Sequence, residues 1–232
     1  MTRSIDNPTF SVIIPHYDRS ISREFLQRTL DSLYRQTYQS FEILLYHDGP
    51  KLMPFEEEID LSQHPNITHL EVTEKRFGDW GHSLRDMGIR RAKGEYIVHM
   101  NADNILYDFA FERMVEAMRT PRSNIADPQS GQVIDTNSND ILIFAILMVG
   151  SESDGIRHWT EVRNDRRHGM ILTGYPVVQN NIDCMQLVMR RRLWLDYGGW
   201  YNRASDGDGY MYQRFVSERR ARYIPAVLGE HW

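Results

Sequence analysis

Strand-like and helix-like apolar patterns alternate through the first hundred residues, and this alternation points to a parallel sheet covered by helices. Residues 10–14, Phe-Ser-Val-Ile-Ile, predict a strand that Pro15 stops, because its missing N–H cannot continue a ladder. Ser22 is a natural N-cap for a helix carrying Leu26, Leu30 and Leu33 at i, i+4 and i+7. A second strand covers residues 41–46 and ends in the turn cluster His47-Asp48-Gly49-Pro50. Ile67–Val72 reads as a third strand, residues 80–91 as a helix and residues 96–100 as a fourth strand.

The pattern changes beyond Asn104. A helix is expected over residues 109–118, with Phe111, Met114, Val115 and Met118 on one face. Residues 120–140 are polar and read as a long excursion, and Ile141–Val149 as a buried strand, antiparallel pairing being one option. Residues 151–168 are charged, with a basic run at Arg163, Arg166, Arg167 and His168. A strand over 170–178, helices over 190–197 and 208–220, and a closing strand over 223–228 complete the expectation. No repeat or linker divides the 232 residues, so one domain is expected.

Composition excludes several classes. A net charge of -5 argues against a dedicated nucleic-acid binder. With 41% hydrophobic and 25% charged residues, disorder is not the default. Cys184 is the one cysteine, which excludes an internal disulfide and a cysteine-based zinc site and fits a reducing compartment. It reads as a small buried thiol. The first residues lack the apolar core of a signal peptide, and the longest apolar run is too short to span a bilayer. The expectation is a cytoplasmic protein, or a soluble domain of something longer, without a transmembrane segment; peripheral membrane contact stays open.

Chemistry gathers at the strand ends. Asn101-Ala102-Asp103 follows the fourth strand and presents hard oxygen ligands that suit a divalent cation bridging to phosphates. A simple turn is the competing reading. Pro15-His16-Tyr17-Asp18-Arg19 leaves the first strand, where an aromatic ring can stack on a base or merely cap the core. Asp48 could accept the imide N–H of uracil or thymine, or serve only its turn. Arg85 could reach a phosphate, or face solvent.

In the second half, Gly198-Gly199-Trp200 marks a helix stop and a tight turn. Asp206-Gly207-Asp208 sets two carboxylates at the mouth of a helix. Capping, part of a calcium loop and a general base compete there, with one of the pair expected to cap and leave the other free. His231 follows a strand and is either an inert tail or held in place.

These segments, in this order, resemble a family-2 glycosyltransferase of the GT-A fold. The matches are the stretch from Ser11 to Arg19, Gln36-Thr37-Tyr38, Phe41-Glu42-Ile43, Asp48-Gly49, Arg85 to Ile89, Ala92 to Ile97, Asn101-Ala102-Asp103, Gly198-Gly199-Trp200 and the segment from Asp208 to Arg214. The resemblance is weakest over residues 121–175. It implies one α/β domain with a mainly parallel central sheet, a nucleotide-sugar donor half over about residues 8–104 and a mixed-strand acceptor half over about 105–232.

The implied activity is inverting transfer of a sugar from a nucleotide diphosphate donor to a hydroxyl of a glycan or glycoconjugate. Pro15, His16 and Tyr17 would surround the base, Asp48 its edge, and Arg85 the ribose or pyrophosphate. Asn101, Ala102 and Asp103 would form the metal motif, with Asp103 and His231 as ligands to Mn2+ or Mg2+. Asp208 would be the general base, with Asp206 as its neighbour; the donor could be UDP-, dTDP- or GDP-linked. A sugar-phosphate nucleotidyltransferase would share the strand-end carboxylate but needs a glycine-rich phosphate loop, absent from Pro15 to Arg19. A degenerate nucleotide-sugar binding module is the non-enzyme alternative, and Asp208 argues against it. Three departures from the family stand out: Asp18 replaces an Asn, His47 the first of two aspartates, and Asn101 the first Asp of the metal motif.

Overall fold

The computed structural model describes residues 7–120, 139–149, 159–164 and 167–232. The first residues and most of the stretches 120–140 and 151–168 therefore lie outside the described residues, as do the side chains of Arg163, Arg166, Arg167 and His168.

The first half alternates as expected: β1 (Phe10–His16), α1 (Arg23–Tyr34), β2 (Phe41–His47), a short α2 (Phe55–Glu58), β3 (Ile67–Val72), α3 (His82–Arg91) and β4 (Tyr96–His99). Then follow β5 (Ile105–Leu106), α4 (Ala110–Arg119), β6 (Ile141–Val149), β7 (Trp159–Asn164), β8 (Arg167–Leu172), β9 (Leu187–Arg190), α5 (Arg191–Asp196), α6 (Gly207–Glu218) and β10 (Ala221–His231). One sheet runs in the order β3-β2-β1-β4-β9-β6-β10-β5, with β8 also paired to β6 and β7 paired to β8. The β3-β2-β1-β4 block is parallel throughout. The remainder is mixed: β6 runs parallel to β10 but antiparallel to β8 and β9.

Alternation along the strands divides the core into two layers. Val12, Ile14, Ile43 and Leu45 face one side with Leu26, Leu30 and Leu33 of α1 and Phe111 and Met114 of α4. Ile13, Leu44 and Ile97 face the other with Leu84 and Ile89 of α3, Trp194 of α5 and Phe215 of α6. Each fully buried side chain of this size contributes about 1.5–3 kcal/mol. Helices thus cover both faces, and the strand ends of the parallel block stay open at one edge.

Several boundaries differ from expectation for physical reasons. Pro15 does not stop β1, which pairs through His16 with His47. β4 ends opposite Ile13, so the missing N–H of Pro15 points past the end of its neighbour. Ser22 takes the N-cap position of α1 but its side chain makes no capping bond. The strand expected over 170–178 lies instead at Arg167–Leu172, and Gly174, at φ +70, leads out of it. His231 closes an eleven-residue strand rather than a loose tail.

Candidate active site

At the open strand edge lies a cleft of about 440 Å³, lined among others by Pro15, His16, Tyr17, Asp48, Arg76, Trp80, Asn101, Ala102 and Asp103. The parallel register sets these ends side by side, since His16 stands opposite His47 and Ile13 opposite His99. Seven of the eleven residues singled out in the sequence therefore share one cavity wall.

At one end Tyr17 and Arg76 form a platform, the guanidinium carbon 4.0 Å from the ring centroid. The Asp48 carboxylate accepts the backbone N–H groups of Phe77 (2.7 Å) and Gly78 (3.0 Å), with Arg76 3.8 Å away. It thus pins the 76–78 segment against the cleft. His16 is buried; desolvation, with Lys51 and His47 nearby, pushes its pKa down to about 3, so the ring is neutral.

Behind the middle of the cleft lies Arg85, a buried side chain rather than a solvated one. Its Nη1 donates to the Trp80 carbonyl at 2.8 Å and its Nη2 to Asn101 Oδ1 at 2.5 Å. Cys184 Sγ lies 3.4 Å from the same Nη2, and the guanidinium sits 5.2 Å from the Trp200 ring centroid. The Gly-Gly-Trp turn makes this support possible. Gly199 has φ +82, a Cβ there would lie 2.0 Å from Asp86 Oδ1, and that oxygen accepts the Trp200 N–H at 2.9 Å. Cys184 is a buried thiol as expected, its pKa raised by burial, and it braces the arginine.

Asp103 closes the other end. Burial raises its carboxyl pKa, with His231 opposing the shift and Asp183 adding to it. Asp103 Oδ1 and His231 Nδ1 are both buried without a hydrogen-bond partner. A buried carboxylate oxygen and an imidazole nitrogen left open in this way fit a hard or borderline cation such as Mn2+ or Mg2+. Among the described residues no three His, Cys, Asp or Glu side chains group closely enough to hold an ion. The chain would therefore supply a partial shell, leaving positions for phosphate oxygens and water.

Asp206, Asp208 and His231 are not among the residues lining the cleft. Neither aspartate plays the capping role expected of one of them. Asp206 holds the N-cap position of α6 without a capping bond and accepts from Gln179 Nε2. Asp208 accepts the adjacent Gly209 N–H, at 2.8 Å. Burial, reinforced by Asp183, pushes the Asp208 pKa up to about 6, with Arg85 acting the other way. That interaction ties Asp208 to the arginine behind the cleft. Arg214, matched to it in the sequence, pairs instead with Glu218 at 3.0 Å.

Arg76, Trp80 and Asp183 are residues that sequence reading passed over. Gly78 and Gly81, both at positive φ, bracket Asp79-Trp80 and signal a shaped turn. Asp183-x-x-Gln186 is a capping box, legible as such, that fixes Asp183 beside His231 with 3.4 Å between Nδ1 and Oδ2.

An open α/β sheet with its cleft at the carboxyl ends of the parallel strands is the architecture of nucleotide-binding folds. Solved structures that share this architecture include GT-A glycosyltransferases. Staphylococcus aureus TarS, residues 1–349, superposes with a TM-score of 0.67 at 13% identity over 96% of this chain and 60% of that one. The mannosyltransferase PcManGT from Pyrobaculum calidifontis, in complex with GDP-Man and Mn2+, gives 0.60 at 16% over 97% and 57%.

The profile of glycosyl transferase family 2 matches residues 11–194, and the chain belongs to that family. An uncharacterized glycosyltransferase of Rickettsia felis is 32% identical over 111 residues, 48% of this chain and 17% of the relative. Glycosyltransferase GlyG of Streptococcus pneumoniae is 26% identical over 115 residues, 50% of this chain and 36% of the relative. The chain thus spans well under two thirds of the relatives it matches. No helix among the described residues is long and apolar enough to cross a membrane.

Proposed function

We propose that the protein is an inverting glycosyltransferase that moves a sugar from a nucleoside-diphosphate sugar to a hydroxyl of a glycan or glycoconjugate. The observation that carries this reading is the single cleft joining the Tyr17–Arg76 platform to Asp103. A base fits the platform, and a diphosphate spans toward the strand-end carboxylate. Structures similar to this one include TarS complexes with UDP and UDP-GlcNAc and the PcManGT complex with GDP-Man and Mn2+.

In this reading residues 8–104 form the donor half and 105–232 the acceptor half of one cytoplasmic catalytic domain. Asp208 is the general base: a carboxyl raised to about 6 is a stronger proton acceptor than a solvated one and still ionised near neutral pH. It takes the proton of the acceptor hydroxyl as that oxygen forms a bond to the anomeric carbon. The bond from that carbon to the diphosphate oxygen breaks, and its electron pair leaves with the diphosphate. Attack from the face opposite the leaving group inverts the centre. Arg85, buried behind the cleft, would offset charge on the leaving group through its field. Asp103 and His231 would hold Mn2+ or Mg2+, whose charge would further stabilise the diphosphate.

Thermal melting against UDP, GDP and dTDP, with and without Mn2+, tests donor binding. The cognate nucleotide should raise the midpoint, by an increment that depends on the metal. A chain that none of them stabilises would not be a nucleotide-sugar enzyme. NMR of the product then reads the anomeric configuration, and retention of the donor's own would overturn the single displacement.

A further inference from the structure

The hexapeptide from Arg76 to Gly81 is fastened to the rest of the molecule at almost every point. Arg76 lies on the Tyr17 ring. The N–H groups of Phe77 and Gly78 donate to Asp48. The Asp79 carboxylate accepts the Ser83 N–H at 3.0 Å and its hydroxyl at 2.6 Å. The Trp80 carbonyl accepts Arg85 Nη1 at 2.8 Å. Gly81 packs so closely that a Cβ there would lie 2.5 Å from Pro15 Cβ.

What this scaffold leaves unfastened on the cleft side is the Trp80 indole. It is 67% exposed although it lines the cleft. Its backbone is left-handed, at φ 55, a conformation that bulky side chains rarely adopt. Strain of this kind persists only where the surroundings impose it. Here Arg85, two flanking glycines at positive φ and the Asp79 cap impose it. An exposed indole on a fastened backbone in a cavity wall is a ready-made contact face, with little backbone entropy left to lose on binding.

The ring's surroundings say what would meet it. Its centroid is 6.5 Å from that of His82, which stacks on Trp200 at 5.2 Å and hydrogen-bonds the Ala204 carbonyl at 2.8 Å. The indole therefore stands on the side of the cleft that leads toward the segment before α6 and its Asp208. The base platform at Tyr17–Arg76 is a separate feature of the same wall.

We propose that Trp80 is a sugar-binding residue that stacks its indole on the C–H face of a pyranose ring between the diphosphate region and Asp208. The inference rests on the glycosyltransferase reading above. The same chemistry is offered by the donor sugar and by an acceptor sugar, and the test separates them.

Dissociation constants of UDP, GDP, UDP-GlcNAc and GDP-mannose are measured with Mn2+ on the wild type and on Trp80→Ala, Trp80→Phe and Trp80→Leu. The KM of a panel of methyl glycoside acceptors is measured on the same proteins. Trp80→Ala should leave the affinity for UDP or GDP within about twofold. It should weaken either the matching sugar nucleotide or the acceptor by about tenfold, the size of one well-packed aromatic contact. A loss confined to the sugar nucleotide identifies the donor sugar, and one confined to acceptor KM identifies the acceptor. Trp80→Phe should recover most of the loss, while Trp80→Leu, apolar but without a π face, should not.

Equal losses for plain UDP or GDP, a leucine variant as good as phenylalanine, or no change in any constant would each overturn the assignment while leaving the enzyme reading intact. Wild type that binds neither UDP nor GDP would overturn both.

Discussion

The backbone N–H of Asp18 donates to His47 Nε2 at 3.0 Å, and the Asp18 carboxylate lies 3.2 Å from the same nitrogen. These are two of the three positions where the chain departs from the family pattern, and they touch. Lys51 reaches both Asp18, at 3.8 Å, and Glu58, and His16 lies 3.6 Å from Glu58. All five side chains are no more than 6% exposed. A carboxylate and an imidazole thus stand together where the family resemblance implies an amide and a carboxylate. His47→Asp alone would set a third carboxylate beside Asp18 and Glu58, with Lys51 as the cation between them. A further buried carboxylate without a cation of its own costs several kcal/mol. The double variant Asp18→Asn, His47→Asp should recover most of that loss in urea melts. Losses that simply add would show the two sites to be independent.

Asn101, the third departure, is bonded to Arg85. Its Oδ1 is committed to Arg85 Nη2 at 2.5 Å. The sequence alone suggests that a carboxylate here would tighten metal binding. With the guanidinium already in place, the added charge would go into a charge-assisted pair instead. Asn101→Asp should therefore raise stability by about 1 kcal/mol, the gain of turning an ion–dipole bond into an ion pair less the cost of desolvating the carboxylate. The Mn2+ concentration that half-saturates nucleotide binding should change by no more than about threefold, since the new carboxylate is already paired. A tenfold tightening would place Asn101 in the coordination shell.

The donor half was readable in the sequence because its strands follow one another and are parallel, so each carboxyl end falls at the same edge. Strand positions set Tyr17, Asp48 and Asp103 at one edge with a turn or capping reading open for each, and the family resemblance joined them in one site. The second half was less legible: β9, only Leu187–Arg190, and β5, only Ile105–Leu106, are too short to show a period. β9 lies where the parallel block joins the mixed part, and β5 at the far edge beside β10. Arg85 was readable only as a helical arginine. Its burial depends on Trp200 and Cys184, more than ninety residues away, and no local pattern encodes that. Asp183 was hidden in the same way: its Asp-x-x-Gln box speaks of a cap, while its role beside His231 comes from β10 arriving there.

His231 is held at the end of β10 by pairing with Met148 of β6 and lies beside Asp183. Asp183 faces the same Nδ1 that lacks a hydrogen bond, so an ion held there would have the Asp183 carboxylate as a charged neighbour. His231→Ala should raise the Mn2+ requirement for nucleotide binding by about 10- to 100-fold, and Asp183→Asn by the lower end of that range. Nucleotide affinity measured in EDTA should be unchanged in both. A variant lacking His231 with the wild-type Mn2+ curve would leave Asp103 without this partner.

Asp208 links activity and stability in opposite senses. Burial, reinforced by Asp183, raises its pKa from 3.8 to about 6 in the folded state. The native state then binds more protons than the unfolded chain between these values, so stability from this group is lost as pH rises through about 6. The base form that the proposed transfer would require appears over the same interval, so kcat should climb with a midpoint near 6. Asp208→Asn should cut kcat by about 10²–10⁴-fold while leaving nucleotide affinity intact. At pH 7 the variant should be more stable than wild type by about 1–3 kcal/mol, an advantage that fades as the solution is acidified. Asp183→Asn removes the neighbouring negative charge and should move the kcat limb to lower pH. A limb that stays in place would break the electrostatic link between the two carboxylates. Loss of turnover in Asp206→Asn, with Asp208→Asn active, would move the base two residues toward the N-terminus.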